Sequence, residues 1–355
     1  MNLQFSAHDL QQVKQDWIAW WDGTITRPFF GIEAVDDSLA GLPFSYNEVT
    51  PVESEDLSPE QILDGIEEFG AGIHWFGGAL PKFWPNYGPG LMAAFLGSPL
   101  HIRPDTVWFD PLPVENLVEI KPQYDPENLW WQQVKRLTRL ATRRWKDIAI
   151  IGLTDLGGNL DILASLRGSE KLLLDLSDSP EEVLRITADI TNLWMRYFDQ
   201  LFDLTHGKET GCSGWSPLWA PGKLYMLQSD FSYMISPRMF KRFVLPDLIA
   251  CCDFLEYPFY HLDGVGQLNH LDQLLAIPNL RGIQWIPGAG QPEPEEWLDV
   301  LKKIRDAGKL CQLYVTRAGM QKIISSLGWQ GFYFHINEDV MLTASQVQEF
   351  AHEFQ

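Results

Sequence analysis

The stretch "YPFYHLDGVGQLNHLDQLLAIPNLRGIQWIPG", Tyr257 to Gly288, decides the fold. It opens with an apolar, aromatic run that stops at His261-Leu262-Asp263-Gly264. A helix-like segment follows, and a second apolar run, Gly282 to Ile286, ends at Pro287-Gly288. Short runs of this kind read as strands covered on both faces, which need helical crossovers between them.

The unit repeats downstream. "EPEEWLDVLKKIRDAG" reads as a helix with a Pro-Glu-Glu start and a stop at Gly308. "KLCQLYV" is a strand, "RAGMQKIISSLG" a helix, "GFYFHI" a strand, and "TASQVQEFAHEF" a helix capped by Thr343 or Ser345. Upstream, "DIAIIGLTDLGGNLDILASLRG" fits the same unit, and "RPFFGIEA" and "AGIHWFGGAL" read as earlier strands. Strict alternation predicts a parallel sheet wrapped by helices, an α/β (β/α)8 TIM-type barrel spanning residues 1–355 as one domain. Residues 1–24 read as an N-terminal helix. Residues 79–125, rich in Pro and Gly, read as an insertion over the barrel mouth.

Composition narrows the function. The chain has 355 residues and a formal charge of −20, from 47 acidic and 27 basic side chains. Such a surface repels phosphate backbones and anionic lipid, so neither nucleic acid nor a membrane is expected as a partner. No apolar run approaches the ~20 residues that span a bilayer. Four cysteines form no C-x-x-C pair, and no signal peptide is evident, so reduced thiols in the cytoplasm are expected. The fifteen tryptophans are expected to serve mainly as packing.

In a barrel, reactive groups sit where strands end and loops begin. That rule selects His261 with Asp263, Asp155 after "IIGLT" and Asp230 after "LYMLQS" as candidate catalytic groups. It further selects Trp75, Gln284, Trp285, Tyr314 and Arg317 to line the substrate. Residues i and i+2 of a strand point the same way, so His261 and Asp263 can converge on one ligand. With His335 they make a candidate metal set. The alternative is that Asp263 caps the following helix while His261 bonds within the core. Asp155 precedes Gly157-Gly158, where it either meets a ligand at a helix start or bonds its own turn. Arg317 offers a fork for a carboxylate or caps a carbonyl at the rim.

"SDFSYMISPRMFKRFVLPDL", then "YHLDG", then "GIQWIPGAG" resembles the uroporphyrinogen decarboxylase superfamily, most clearly from about Ile148 onward. The resemblance implies a (β/α) barrel and one of two chemistries. True porphyrinogen decarboxylases carry an arginine-rich N-terminal motif and an aspartate near the second strand. Here Arg27 stands alone in "TRPFFGIEA", and Gly77-Gly78 occupy the place of the aspartate. Corrinoid-linked methyltransferases of the superfamily hold zinc with a His-x-Cys pair and a late Cys. His261 matches the first ligand, Asp263 replaces the Cys, and "FYFHINED" offers His335 or Glu338 for the last.

The resemblance thus implies a methyltransferase-type enzyme acting on a small or cobamide-linked substrate, with a corrinoid protein as partner and a homodimer by analogy. A decarboxylase of a smaller acid, with Arg317 or Lys82 as clamp, is the second reading. A non-catalytic tetrapyrrole- or sugar-binding protein is the third.

Overall fold

The computed structural model describes residues 5–39, 50–52, 57–103 and 107–351. Its centre is a seven-stranded sheet. In chain order the strands are β1 (Phe29–Val35), β2 (Ile73–Gly77), β3 (Leu224–Leu227), β4 (Tyr257–Asp263), β5 (Gly282–Ile286), β6 (Leu310–Val315) and β7 (Phe332–Ile336). They lie side by side as β2-β1-β7-β6-β5-β4-β3. Every neighbouring pair is parallel except β1 with β2. The fold is therefore mixed α/β with a largely parallel sheet.

β4 to β7 follow the boundaries the apolar runs suggested. The helix after β5 starts at Leu298, past a 3-10 turn at Pro294–Glu296. Neither it nor the segment after β4 has a side-chain cap, whereas other helices are capped. Thr316 accepts from the backbone of Gly319 to open the helix Arg317–Leu327, and Ser236 accepts from Met239 to open Pro237–Phe243. The N-terminal half departs from expectation twice. "IHWFG" is a strand, but it folds back antiparallel on β1 at the sheet edge instead of extending the parallel series. Within the supposed insertion, Lys82–Phe83 is a strand parallel to Ile150–Ile151. Flanked by Pro81 and Trp84, a strand this short carries no periodic signal.

Backbone bonds continue from that pair. Gly152 N donates to Phe83 O (2.7 Å), and Leu153 N donates to Ser213 O (2.9 Å). Cys212–Ser213 pairs antiparallel with Trp219–Ala220 in a small hairpin. The rest of the insertion is pinned to the Asp155 loop, where Leu91 N donates to Asp155 O (2.9 Å) and Thr154 Oγ1 to Pro85 O (2.7 Å).

The N-terminal helix, Ala7–Trp21, opens with a Ser6/Asp9 capping box and lays three tryptophans across the N-terminal ends of the strands. Their indole N–H groups donate to carbonyls of Gly78, Phe332 and Trp219. Trp20 also packs on Phe29, Phe259 and Tyr333. Apolar burial seals this end, and truncating one such tryptophan costs about 3–5 kcal/mol. The polar groups gather at the opposite end.

Candidate functional site

β4 ends with His261 and Asp263 pointing the same way, and the turn Asp230–Met234 after β3 brings a third group beside them. The ligand atoms of Asp230, His261 and Asp263 lie within 4.8 Å of one another. His261 Nε2 stands 3.8 Å from Asp263 Oδ2. Asp263 does not cap the next helix, since Gly264 holds that position and no side chain caps it.

His261 is held on two sides. Its Nδ1 meets Gln284 Oε1, and Gln284 Nε2 donates to Gln312 Oε1. The edge of Trp215 packs against the imidazole, with ring centroids 5.1 Å apart. With Nδ1 donating to an amide oxygen, the Nε2 lone pair is left facing the two carboxylates.

Asp230 is placed by Asp161, whose two carboxylate oxygens accept from the backbone N–H of Asp230 (3.0 Å) and of Phe231 (2.8 Å). Although the Asp230 side chain reaches solvent, the protein packed around it raises its pKa; His261 opposes the rise and Asp263 adds to it. Asp161 is pushed up to about 7, chiefly by burial and then by the charge of Asp230, against its two N–H donors. Asp155 is pushed up to about 6 by burial, although Gly157 N–H and the Tyr225 hydroxyl donate to it. Asp155 feels the charge of Asp230 but stands behind the three-residue set, not in it.

A second polar group lies deeper. Burial pulls Lys82 down to about 8, against the opposing charge of Glu33, and its Nζ donates to Ser216 O at 2.5 Å. His335 belongs here. It is buried at 3% exposure, packs against Tyr314, and is kept neutral by burial and by Lys82, which bring it down to about 3. The proposed His261-Asp263-His335 set is thereby corrected, because β5 and β6 separate His335 from β4 and Asp230 takes the third place.

Other expected lining residues also move. Gln284 supports His261, and Tyr314 supports His335. Trp285 is fully buried on the other face of β5 and packs on Trp297, so it does not face the site. Trp75 sits on the edge strand in a cluster with Val35, Ile73 and Met341. Beside it, His74 pairs with Asp36 at 2.7 Å. Arg317 is taken up by Glu338, to which both its backbone N and its Nε donate. All four cysteines are buried, and burial raises each thiol, so none replaces a missing thiolate ligand.

Trp215 and Asp161 were not anticipated. Trp215 sits between turn-forming residues in "GWSPL", and Asp161 looks like an ordinary first-turn helix acid.

No protein-family model matches the sequence, and no curated protein matches it. Among solved structures, the fold is similar to a methyltransferase from Methanosarcina mazei, with 10% identity and a TM-score of 0.59 over 98% of each chain. At that identity the likeness is one of fold. Among the described residues, no helix is long and apolar enough to cross a membrane.

Proposed function

We propose that this chain is a metal-assisted enzyme of the methyltransferase type, built on a (β/α)8 barrel. The barrel reading takes β1, Lys82–Phe83, Ile150–Ile151 and β3 to β7 as the eight parallel strands. It is supported by the backbone bonds that lead from Phe83 through Gly152 and Leu153 to Ser213 and by the full-length similarity to an archaeal methyltransferase. Asp230, His261, Asp263 and Asp155 then all sit at or just past C-terminal strand ends, where barrel enzymes keep their chemistry.

The observation that carries the functional reading is the convergence of Asp230, His261 and Asp263. One imidazole nitrogen and two carboxylates fit a divalent ion. Compared with a His-and-two-thiolate set they shift preference away from the softest metals, and zinc remains acceptable. Bound there, zinc would lower the pKa of a thiol or water acceptor and make it nucleophilic. The two carboxylates offset the ion's charge, Trp215 shields the imidazole from water, and Asp155 orients the acceptor. A small or cobamide-linked methyl donor, carried by a corrinoid protein, completes this reading, with the chain acting as a homodimer.

Metal analysis of protein purified without chelator or nickel resin tests it. About one divalent ion per chain, absent from His261→Ala, is expected. No ion in either would sink the metal assignment.

The half-buried Lys82 supports a second reading, decarboxylation of a small acid held by that ammonium. This reading requires no ion, and CO2 release from a carboxylate panel checks it.

A further inference from the structure

The side chain that holds His261 is itself held. His261, Gln284 and Gln312 stand opposite one another in register across β4, β5 and β6, forming one row on one face of the sheet. Gln284 and Gln312 are fully buried. Gln284 spends its amide hydrogen on Gln312 Oε1, which turns its own oxygen toward His261. An amide oxygen only accepts, so the imidazole hydrogen is drawn to Nδ1.

We propose that Gln284 and Gln312 are positioning residues that hold His261 in its Nδ1–H tautomer and aim Nε2 at Asp230 and Asp263. The consequence for metal affinity rests on the metal reading above, but the tautomer does not. Histidine ligands usually have their second nitrogen fixed in this way, often by a carboxylate. Here a neutral amide is the fitting choice. A carboxylate at position 284 would be a fully buried charge beside a site that already carries two, at a high desolvation cost. Gln312 supplies the direction, since without its oxygen the Gln284 amide is free to flip and offer Nδ1 a hydrogen instead.

The test is long-range 1H–15N correlation spectroscopy on the metal-free protein, paired with zinc titration against a competing chelator. Wild-type His261 is expected as a single Nδ1–H tautomer. Gln312→Met, which alters a residue that does not touch His261, should give a tautomer mixture and weaken zinc by about 10-fold or more. Gln312→Glu keeps an accepting oxygen and should restore the tautomer, at a cost in stability because the carboxyl is buried. Should Gln312→Met fail to fold, Gln312→Asn draws the oxygen back by one methylene and should shift both readouts in the same direction.

A wild-type Nε2–H tautomer, or Gln312 variants that leave the tautomer unmoved, would overturn the proposal. Zinc bound by a protein whose tautomer ignores Gln312 retires the relay and keeps the metal. A relay that responds in a protein that binds no zinc does the reverse.

Discussion

Two polar groups share the C-terminal end of the strands, and they balance charge in opposite ways. Asp230, His261 and Asp263 form a rim group with two carboxylates close together. Glu33, Lys82 and His335 form a deep group in which Lys82 and Glu33 carry opposite charges and His335 is neutral. The deep group is complete without a visitor, whereas the rim group holds like charges that a cation would relieve. One group is therefore expected to serve the fold and the other to bind.

Substitutions that treat the two groups alike would break this contrast. Asp263→Asn removes one of two crowded carboxylates, so it should abolish divalent-ion binding while leaving the metal-free protein as stable as wild type or more so. Calorimetric titration and thermal unfolding without metal read the two halves separately. If Asp263→Asn unfolds the protein, the rim group is structural after all.

Lys82→Met should do the opposite. It removes the positive charge that opposes Glu33 and the hydrogen bond that Lys82 donates to Ser216 O, a loss of about 1–3 kcal/mol. Urea unfolding should show that loss while the metal content of the folded protein is unchanged. Adding Glu33→Gln should recover part of that loss, because the two opposing charges then disappear together. A Lys82→Met protein with wild-type stability would mean that Lys82 is held for a ligand, which would favour the decarboxylase reading.

The sequence carried the two groups unequally. β4 to β7 are legible because their apolar runs are uniform and end at Gly, Pro or polar residues, so His261, Asp263, Gln284, Tyr314 and His335 can be placed at strand ends. The strand-end rule weights every strand equally and says nothing about which ends meet. The rule therefore groups His335 with His261 across two intervening strands and does not pair Asp230 with either. Lys82 was hidden more deeply, on a two-residue strand between Pro81 and Trp84. The bonds of Asp161 run to backbone N–H groups on a turn about seventy positions away, and no local pattern encodes such a contact.

Acidity sharpens the contrast further. Folding raises the pKa of Asp161 to about 7 and of Asp155 to about 6, mainly through burial. A carboxyl whose pKa is higher in the folded state favours folding while protonated. That stability is fully present below about 4, the ordinary carboxylate range, and fades as pH rises to about 6 for Asp155 and about 7 for Asp161. The metal-free protein should accordingly lose thermal stability between about pH 4 and 7. Asp161→Asn should make that slope shallower while weakening the hold on Asp230. A slope unchanged in Asp161→Asn would mean that Asp161 does not govern the pH response.

The smallest expected effect belongs to the residue that a strand-end rule would most readily assign to a substrate. Arg317 follows β6 and carries a fork suited to a carboxylate, yet its Nε donates to Glu338 at 3.0 Å and its side chain is 37% exposed. A solvent-screened pair of that kind contributes about 1 kcal/mol or less. Arg317→Ala should therefore shift urea unfolding only slightly and leave metal content and turnover at wild-type levels. Because Glu338 also accepts from the backbone N–H of Arg317, it stays partly anchored when the guanidinium is gone, so the loop should not collapse and blur the result. A large loss of turnover with stability preserved would move substrate binding out to the rim of β6, away from His261.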